Sequence, residues 1–304
     1  MVPATTEWTE RIAGLTAVRM RGPEAIAERA AGRVRRTRPV GETGRLMVIA
    51  ADHPGRGVLG VGGDPRAMGD RSDYLARVCA ALSRPGVDGV LGTPDVVEDL
   101  LLLGVLDGMV VLGSMNRGGL AGSAFETDDR FTGYDAAAVA GSRLDGGKML
   151  LRIDESDPAT APALEACARA VSELAGHGLM AVVEPFCARR EDGRLRNVLT
   201  PDAMIRAISV ASALGTTSAR TWLKVPAVPE MDRVMAATTL PALLLGGEVA
   251  GDRRAAVEGW RRALGPPNVR GLIAGRSLLY PPDGDVRGAV DAAVEVVDQA
   301  VGRL

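Results

Sequence analysis

From about Arg45 onward the chain repeats one rhythm: a short apolar run, then an amphipathic Ala/Leu-rich stretch. The apolar runs are Leu46–Ala51, Val87–Leu91, Gly108–Leu112, Lys148–Ile153, Leu179–Val183, Thr221–Val225, Ala242–Leu245 and Gly271–Ala274. They do not alternate with polar residues, so they predict strands buried on both faces, as parallel strands are. The amphipathic stretches predict helices over Ser72–Ser83, Asp95–Leu103, Ala161–Ala175, Pro201–Leu214, Arg253–Leu264 and Val286–Gly302. Eight such strands in residues 45–304 leave about 32 residues per unit, the size of an eight-fold β/α unit. An open dinucleotide-binding sheet would need a GxGxxG turn directly after the first strand. Gly60, Gly62 and Gly63 have neither that spacing nor that place.

The pattern therefore predicts an α/β chain folded as a (β/α)8 TIM barrel. It forms a single domain over 1–304, with an N-terminal helical extension over 1–44 and the barrel over 45–304. The extension reads as helices Trp8–Met20 and Pro23–Arg35, expected by analogy to close the barrel floor. Two connections are long for this fold, residues 52–71 and 114–133. Both follow strands, so both belong to the C-terminal face, where functional loops gather.

Composition narrows the function. The 36 basic against 38 acidic residues leave a net charge of −2, which gives no electrostatic case for nucleic acid. The longest apolar block, Leu100–Val105, is far too short for a membrane span, and the first residues lack the apolar core of a signal peptide. Cys79, Cys167 and Cys187 are scattered, as reduced thiols in a cytoplasmic protein would be. With two histidines, a metal site built on several imidazoles is not available, and no organic cofactor is implied. The basic residues hold one oddity: only Lys148 and Lys224 are lysines, and both stand in predicted strands.

In a barrel the chemistry lies where strands end. Lys224 sits in the apolar run Thr221-Trp222-Leu223-Lys224-Val225-Pro226. A desolvated lysine loses its proton more readily and its amine then attacks a carbonyl; arginine cannot do this. The alternative is a buried ion pair with Glu184 or Asp52. Lys148, on the fourth strand, would depress the Lys224 ammonium and bind developing negative charge, or else close the barrel floor with an acid. Glu184 reads as a general acid/base. Asp52 reads as orienting Lys148 or holding a substrate hydroxyl, or as a plain salt bridge. His53 could be a loop residue, and His177 falls at the wrong end of the barrel. Gly246, Gly247, Gly275 and Arg276, ending strands seven and eight, suit a phosphate; the alternative is glycines easing tight turns. Arg152 stands nearer the mouth than Lys148 and would suit a substrate anion. Arg189, Arg190, Arg194 and Arg196 read as a solvated loop.

Taken in order, Ala51-Asp52-His53, Gly133-Tyr134-Asp135, Gly147-Lys148-Met149-Leu150-Leu151, Val183-Glu184-Pro185, Leu223-Lys224-Val225 and Ala274-Gly275-Arg276 resemble the class I (Schiff-base) aldolases. Among these the pattern is most similar to the tagatose-bisphosphate aldolases, within the wider deoxyribose-phosphate aldolase superfamily. The likeness runs from about residue 45 to 280. It implies a carbon–carbon lyase in which Lys224 matches the Schiff-base lysine, Glu184 the acid/base, Lys148 the lysine beside the substrate and Arg276 the phosphate-contacting arginine. The implied partner is a phosphorylated keto sugar or deoxy-keto sugar acid, cleaved to release dihydroxyacetone phosphate. A similar sub-family is associated with inositol catabolism. Departures are Gly246-Gly247-Glu248 at the end of strand seven, Arg152 in place of an aromatic, and the first loop His53-Pro54-Gly55-Arg56-Gly57. Two rivals remain open: a phosphate-binding sugar isomerase or epimerase using Glu184 as base, and a non-catalytic barrel that senses a sugar phosphate. A homo-oligomer is left open.

Overall fold

A computed structural model describes residues 6–41, 44–247 and 253–300. Eight parallel strands close into a barrel: β1 (Leu46–Ala51), β2 (Gly89–Gly92), β3 (Val110–Ser114), β4 (Gly146–Ile153), β5 (Met180–Glu191), β7 (Thr221–Val225), β8 (Ala242–Leu245) and β9 (Val269–Ala274). The hydrogen-bonded order is β4-β3-β2-β1-β9-β8-β7-β5, and a β4–β5 pairing closes the ring. β6 (Arg194–Asn197) is an antiparallel partner of the outer half of β5. Outside the ring lie α4 (Arg71–Leu82), α5 (Pro94–Leu103), α6 (Ala136–Gly141), α7 (Thr160–Gly176), α8 (Pro201–Ser212), α9 (Met231–Met235), α10 (Arg253–Ala263), α11 (Arg276–Leu279) and α12 (Val286–Gln299). The TIM-barrel expectation holds, and each predicted strand and helix has a counterpart shifted by a few residues; the end of the last helix, at Gly302, lies outside the described residues.

Period-two alternation sorts the strand residues into two cores. One face of each strand packs outward on the helices. The other fills the barrel with Leu46, Val48, Ala50, Leu91, Val110, Leu112, Met180, Val182, Leu243 and Ile273. The next inward position on several strands is polar: Asp52 follows Val48 and Ala50, Ser114 follows Val110 and Leu112, and Glu184 follows Met180 and Val182. Lys224 shares its face with the inward Trp222. The inward side of the barrel is thus apolar below and polar at its C-terminal mouth.

Two expectations about connections are corrected. The extension forms three helices, α1 (Thr6–Ala13), α2 (Leu15–Arg21) and α3 (Ala25–Gly32), which flank the barrel wall rather than plug its floor. α1 packs on α4, and α3 packs on α5. The segment after them takes the floor. Arg33 and Arg35 both bond Asp145, just before β4, and Arg36 bonds Asp88, just before β2. The second correction concerns the arginine-rich stretch after strand five. It is not a loop but the β5–β6 hairpin, turned by Asp192 (φ 49°) and Gly193 (φ 75°). Asp-Gly is a favoured pair for such a two-residue turn.

Candidate active site at the barrel mouth

The structure brings Lys224, Glu184, Lys148 and Asp52 together inside the mouth. Lys224 Nζ lies 3.0 Å from Glu184 Oε1. Lys148 Nζ contacts the other oxygen, Oε2, and lies 3.6 Å from Asp52 Oδ2. One carboxylate thus bridges both lysines of the chain. Lys148 starts low on β4, yet it reaches this layer because the barrel is staggered: it pairs with Ser114, the last residue of β3. Lys148 is 1% exposed and Lys224 4%, so neither ammonium has much water, and mutual pairing is what makes their burial tolerable.

Electrostatics follow from this crowding. Burial would raise the Glu184 carboxyl, but Lys148, Lys224 and Arg117 outweigh it and hold the group well below the usual carboxylate range. Burial and then the Arg117 guanidinium push Lys148 well below the ordinary lysine value. Burial, opposed by Glu184 and reinforced by Arg117 and Arg276, lowers Lys224. His53 is pushed down to about 3 by burial, Lys224 and Arg276, so its imidazole is neutral across the working range.

Arg117 is a site residue that sequence reasoning passes over. Its guanidinium contacts Asp52 Oδ2, and its Nε donates to Ser114 Oγ at 2.8 Å. Ser114 Oγ in turn donates to Asp52 Oδ2 at 3.0 Å. Arg117 follows the third strand by three residues, inside a long loop where its place could not be read from periodicity. The rule that strand ends carry chemistry does point to Ser114-Met115-Asn116-Arg117. Asn116 has a different task there: its Nδ2 donates to Leu150 O at 2.5 Å and its Oδ1 accepts from Leu150 N at 2.7 Å, extending the β3–β4 ladder.

Arg152 departs from the expectation that it meets a substrate anion. It is buried, its Nε and NH2 group donate to Asp129 at 2.8 Å, and its NH1 group lies 3.2 Å from Glu126. Arg56 reaches the same Glu126 at 3.4 Å. Arg152 is therefore an anchor for the 114–133 loop, which folds back over β4. Gly119 permits the fold: a Cβ there would lie 2.1 Å from Glu126 O and 2.6 Å from an Arg152 nitrogen. The hairpin grips the same loop, since Arg190 donates to Ala124 O at 2.7 Å.

Across the mouth, Gly246 and Gly247 follow β8, and Gly275 and Arg276 follow β9. Glu248 lies outside the described residues. Gly275 is required by close approach: a Cβ would sit 2.3 Å from Ala50 O and 2.7 Å from His53 Cε1. At Gly246 it would sit 2.9 Å from Ser277 Oγ. Arg276 Nε and Ser277 Oγ are buried and have no hydrogen-bond partner among the described residues. Buried donors without acceptors are costly, and an anion seated between these turns would satisfy them. Among the described residues no cluster of His, Cys, Asp and Glu has the arrangement to hold a metal ion, and no helix is long and apolar enough to cross a membrane.

The closed parallel barrel, with its charged layer at the C-terminal mouth, has the fold of the class I fructose-bisphosphate aldolases. An archaeal fructose-1,6-bisphosphate aldolase superposes with a TM-score of 0.63 at 16% identity, over 90% of this chain and 98% of that one. A Schiff-base-forming fructose-1,6-bisphosphate aldolase superposes at 0.60 and 18% identity, over 90% and 99%. Residues 44–294 match the Cgl0159-like family model, and the chain belongs to that family. The crystal structure of Cgl0159 from Corynebacterium glutamicum matches at 48% identity and a TM-score of 0.91, over 98% of each chain. No curated protein matches.

Proposed function

We propose that the protein is a class I aldolase that cleaves a phosphorylated keto sugar or sugar acid through a Schiff base on Lys224. The observation that carries this reading is the Glu184 carboxylate bridging Lys224 and Lys148 inside the barrel mouth. A lysine there is partly stripped of water, stands beside another cation and has an acceptor 3.0 Å away for the proton its amine must lose. The neutral Lys224 amine attacks the substrate ketone. The alkoxide so formed takes a proton from the Lys148 ammonium; the carbinolamine nitrogen, still positively charged, gives a proton to Glu184, which passes it to the departing hydroxyl, and water departs, leaving a protonated iminium. The iminium then accepts the electron pair of the breaking C–C bond while Glu184 takes the proton of the hydroxyl that becomes the aldehyde. The enamine is reprotonated, water attacks the regenerated iminium, and dihydroxyacetone phosphate departs. Lys148 and Asp52 hold the negative charge and hydroxyls of the substrate in place. Gly246, Gly247, Gly275 and Arg276 form the phosphate cradle, where Arg276 Nε and Ser277 Oγ await acceptors. No step in this scheme calls for a metal or organic cofactor.

An isomerase or epimerase would ask Glu184 to take a proton from carbon. Such an enzyme forms no Schiff base, so borohydride would trap nothing on Lys224. A sensor without catalysis has no use for the shared carboxylate. Neither the family nor the fold neighbours carry a link to inositol catabolism, so the substrate is proposed as a chemical class only. Borohydride reduction in the presence of dihydroxyacetone phosphate tests the proposal. Covalent mass at Lys224 is the expected result, and wild-type protein that acquires none under conditions where it binds the phosphate overturns it.

A further inference from the structure

The charged residues of the mouth fall into two rings. In the outer ring Arg56 and Arg152 face Glu126 and Asp129, two cations against two anions. In the inner ring Asp52 and Glu184 face Arg117, Lys148 and Lys224, two anions against three cations. A guanidinium does not give up its proton under ordinary conditions. It contacts Asp52 both directly and through Ser114, and so occupies that carboxylate. Asp52 is left 3.6 Å from Lys148, beyond a hydrogen bond. One carboxylate, Glu184, then serves two amines.

We infer that Arg117 is a positioning residue: by clamping Asp52 it leaves Lys148 and Lys224 to share Glu184, so that the two lysines hold one proton between them and Lys224 is available as a free amine. Without Arg117, Asp52 would be free to close on Lys148, each amine would have its own carboxylate, and both would stay protonated. The other groups facing the pair do not alter the count. His53 is neutral, Asp129 belongs to Arg152, the Cys167 thiol is pushed up to about 12 by burial, and Arg276, at the edge, adds a further positive charge that disfavours a second ammonium. With one proton on the lysine pair, the inner ring balances at two positive and two negative charges.

The inference deepens the aldolase reading and rests on it for its purpose, but its test does not need the substrate. Formaldehyde with cyanoborohydride methylates only unprotonated amines, and with two lysines in the chain each site is resolved by peptide mass. In the wild type the labelling midpoint of Lys224 against pH is expected below the ordinary lysine value. Arg117→Met is expected to raise that midpoint by about one pH unit or more, roughly a tenfold slower labelling at neutral pH. Arg117→Lys, which keeps a cation at the clamp, is expected to restore most of the shift. Arg117→Gln carries the same expectation as the Met variant should circular dichroism find that variant unfolded. A midpoint that Arg117→Met leaves unchanged, or a wild-type Lys224 that labels like an exposed lysine, overturns the inference. A lowered, Arg117-dependent midpoint without trapping of dihydroxyacetone phosphate would overturn the aldolase reading and leave the charge count standing.

Discussion

Single side chains decide the chemistry, and three expectations belong to them. On the proposed mechanism Lys224→Ala should abolish borohydride trapping and reduce aldol cleavage by about a thousandfold or more, because that mechanism runs through a covalent electron sink on Lys224; residual activity near wild type in a cleavage assay would refute that role. Glu184 is held low in the folded protein, so it favours folding above its unfolded value of about 4.3, and that favour is lost as pH falls through the folded value. Urea midpoints measured from pH 7 down to 3 should therefore fall, and Glu184→Gln should flatten that fall. Gly275 is constrained by space rather than by φ. A methyl group there would stand 2.3 Å from Ala50 O, so Gly275→Ala should cost about 1–3 kcal/mol in urea titration. The composition oddity of two lysines is resolved at this scale, since both sit on one carboxylate. Arg117 is the counter-example: its place just after a strand end is the one signal around it, and only its approach to Asp52 sets it apart from the other arginines.

At the scale of elements, strands were legible and their junctions were not. The β-branched or Leu-rich runs placed all eight barrel strands because they are short and recur between amphipathic helical stretches, as strands buried on both faces do. The arginines after Glu184 looked like a solvated loop because their side chains are polar. They form a hairpin all the same, since backbone pairing with the outer half of β5 needs no apolar side chains and Asp192-Gly193 makes the turn. The 114–133 loop is held as an element by Arg152 from below and Arg190 from the side. Arg152→Met should release it: with Asp129 left unpaired, hydrogen exchange across residues 118–131 should become faster by an order of magnitude or more, while the barrel strands stay protected. Unchanged protection would mean that the loop stands without its anchor.

The whole molecule depends on a belt that joins the extension to the barrel floor. Asp145 accepts from Arg33 and Arg35 and also from Val111 N, and it is almost wholly buried. Asp145→Ala leaves the buried Arg33 without its carboxylate. It should cost about 3–5 kcal/mol, read as a lowered unfolding midpoint common to near- and far-ultraviolet signals. The helical periodicity of the extension was visible in the sequence, but a helix face gives no address on the barrel. Packing on α4 and α5 had to be decided by surfaces that meet only after the ring closes.

The sequence by itself determined the eight barrel strands and the longer helices between them, and set Asp52, Glu184 and Lys224 at strand ends, because apolar runs and helical periodicity are local properties. Tertiary structure alone decided which charges meet. The stagger of the ring lifts Lys148 to Glu184, and loop closure sets Arg117 on Asp52 and pairs Arg152 with Asp129. Pairing depends on distances of a few ångströms between residues tens of positions apart, and Coulomb forces at that range select partners that no local pattern encodes.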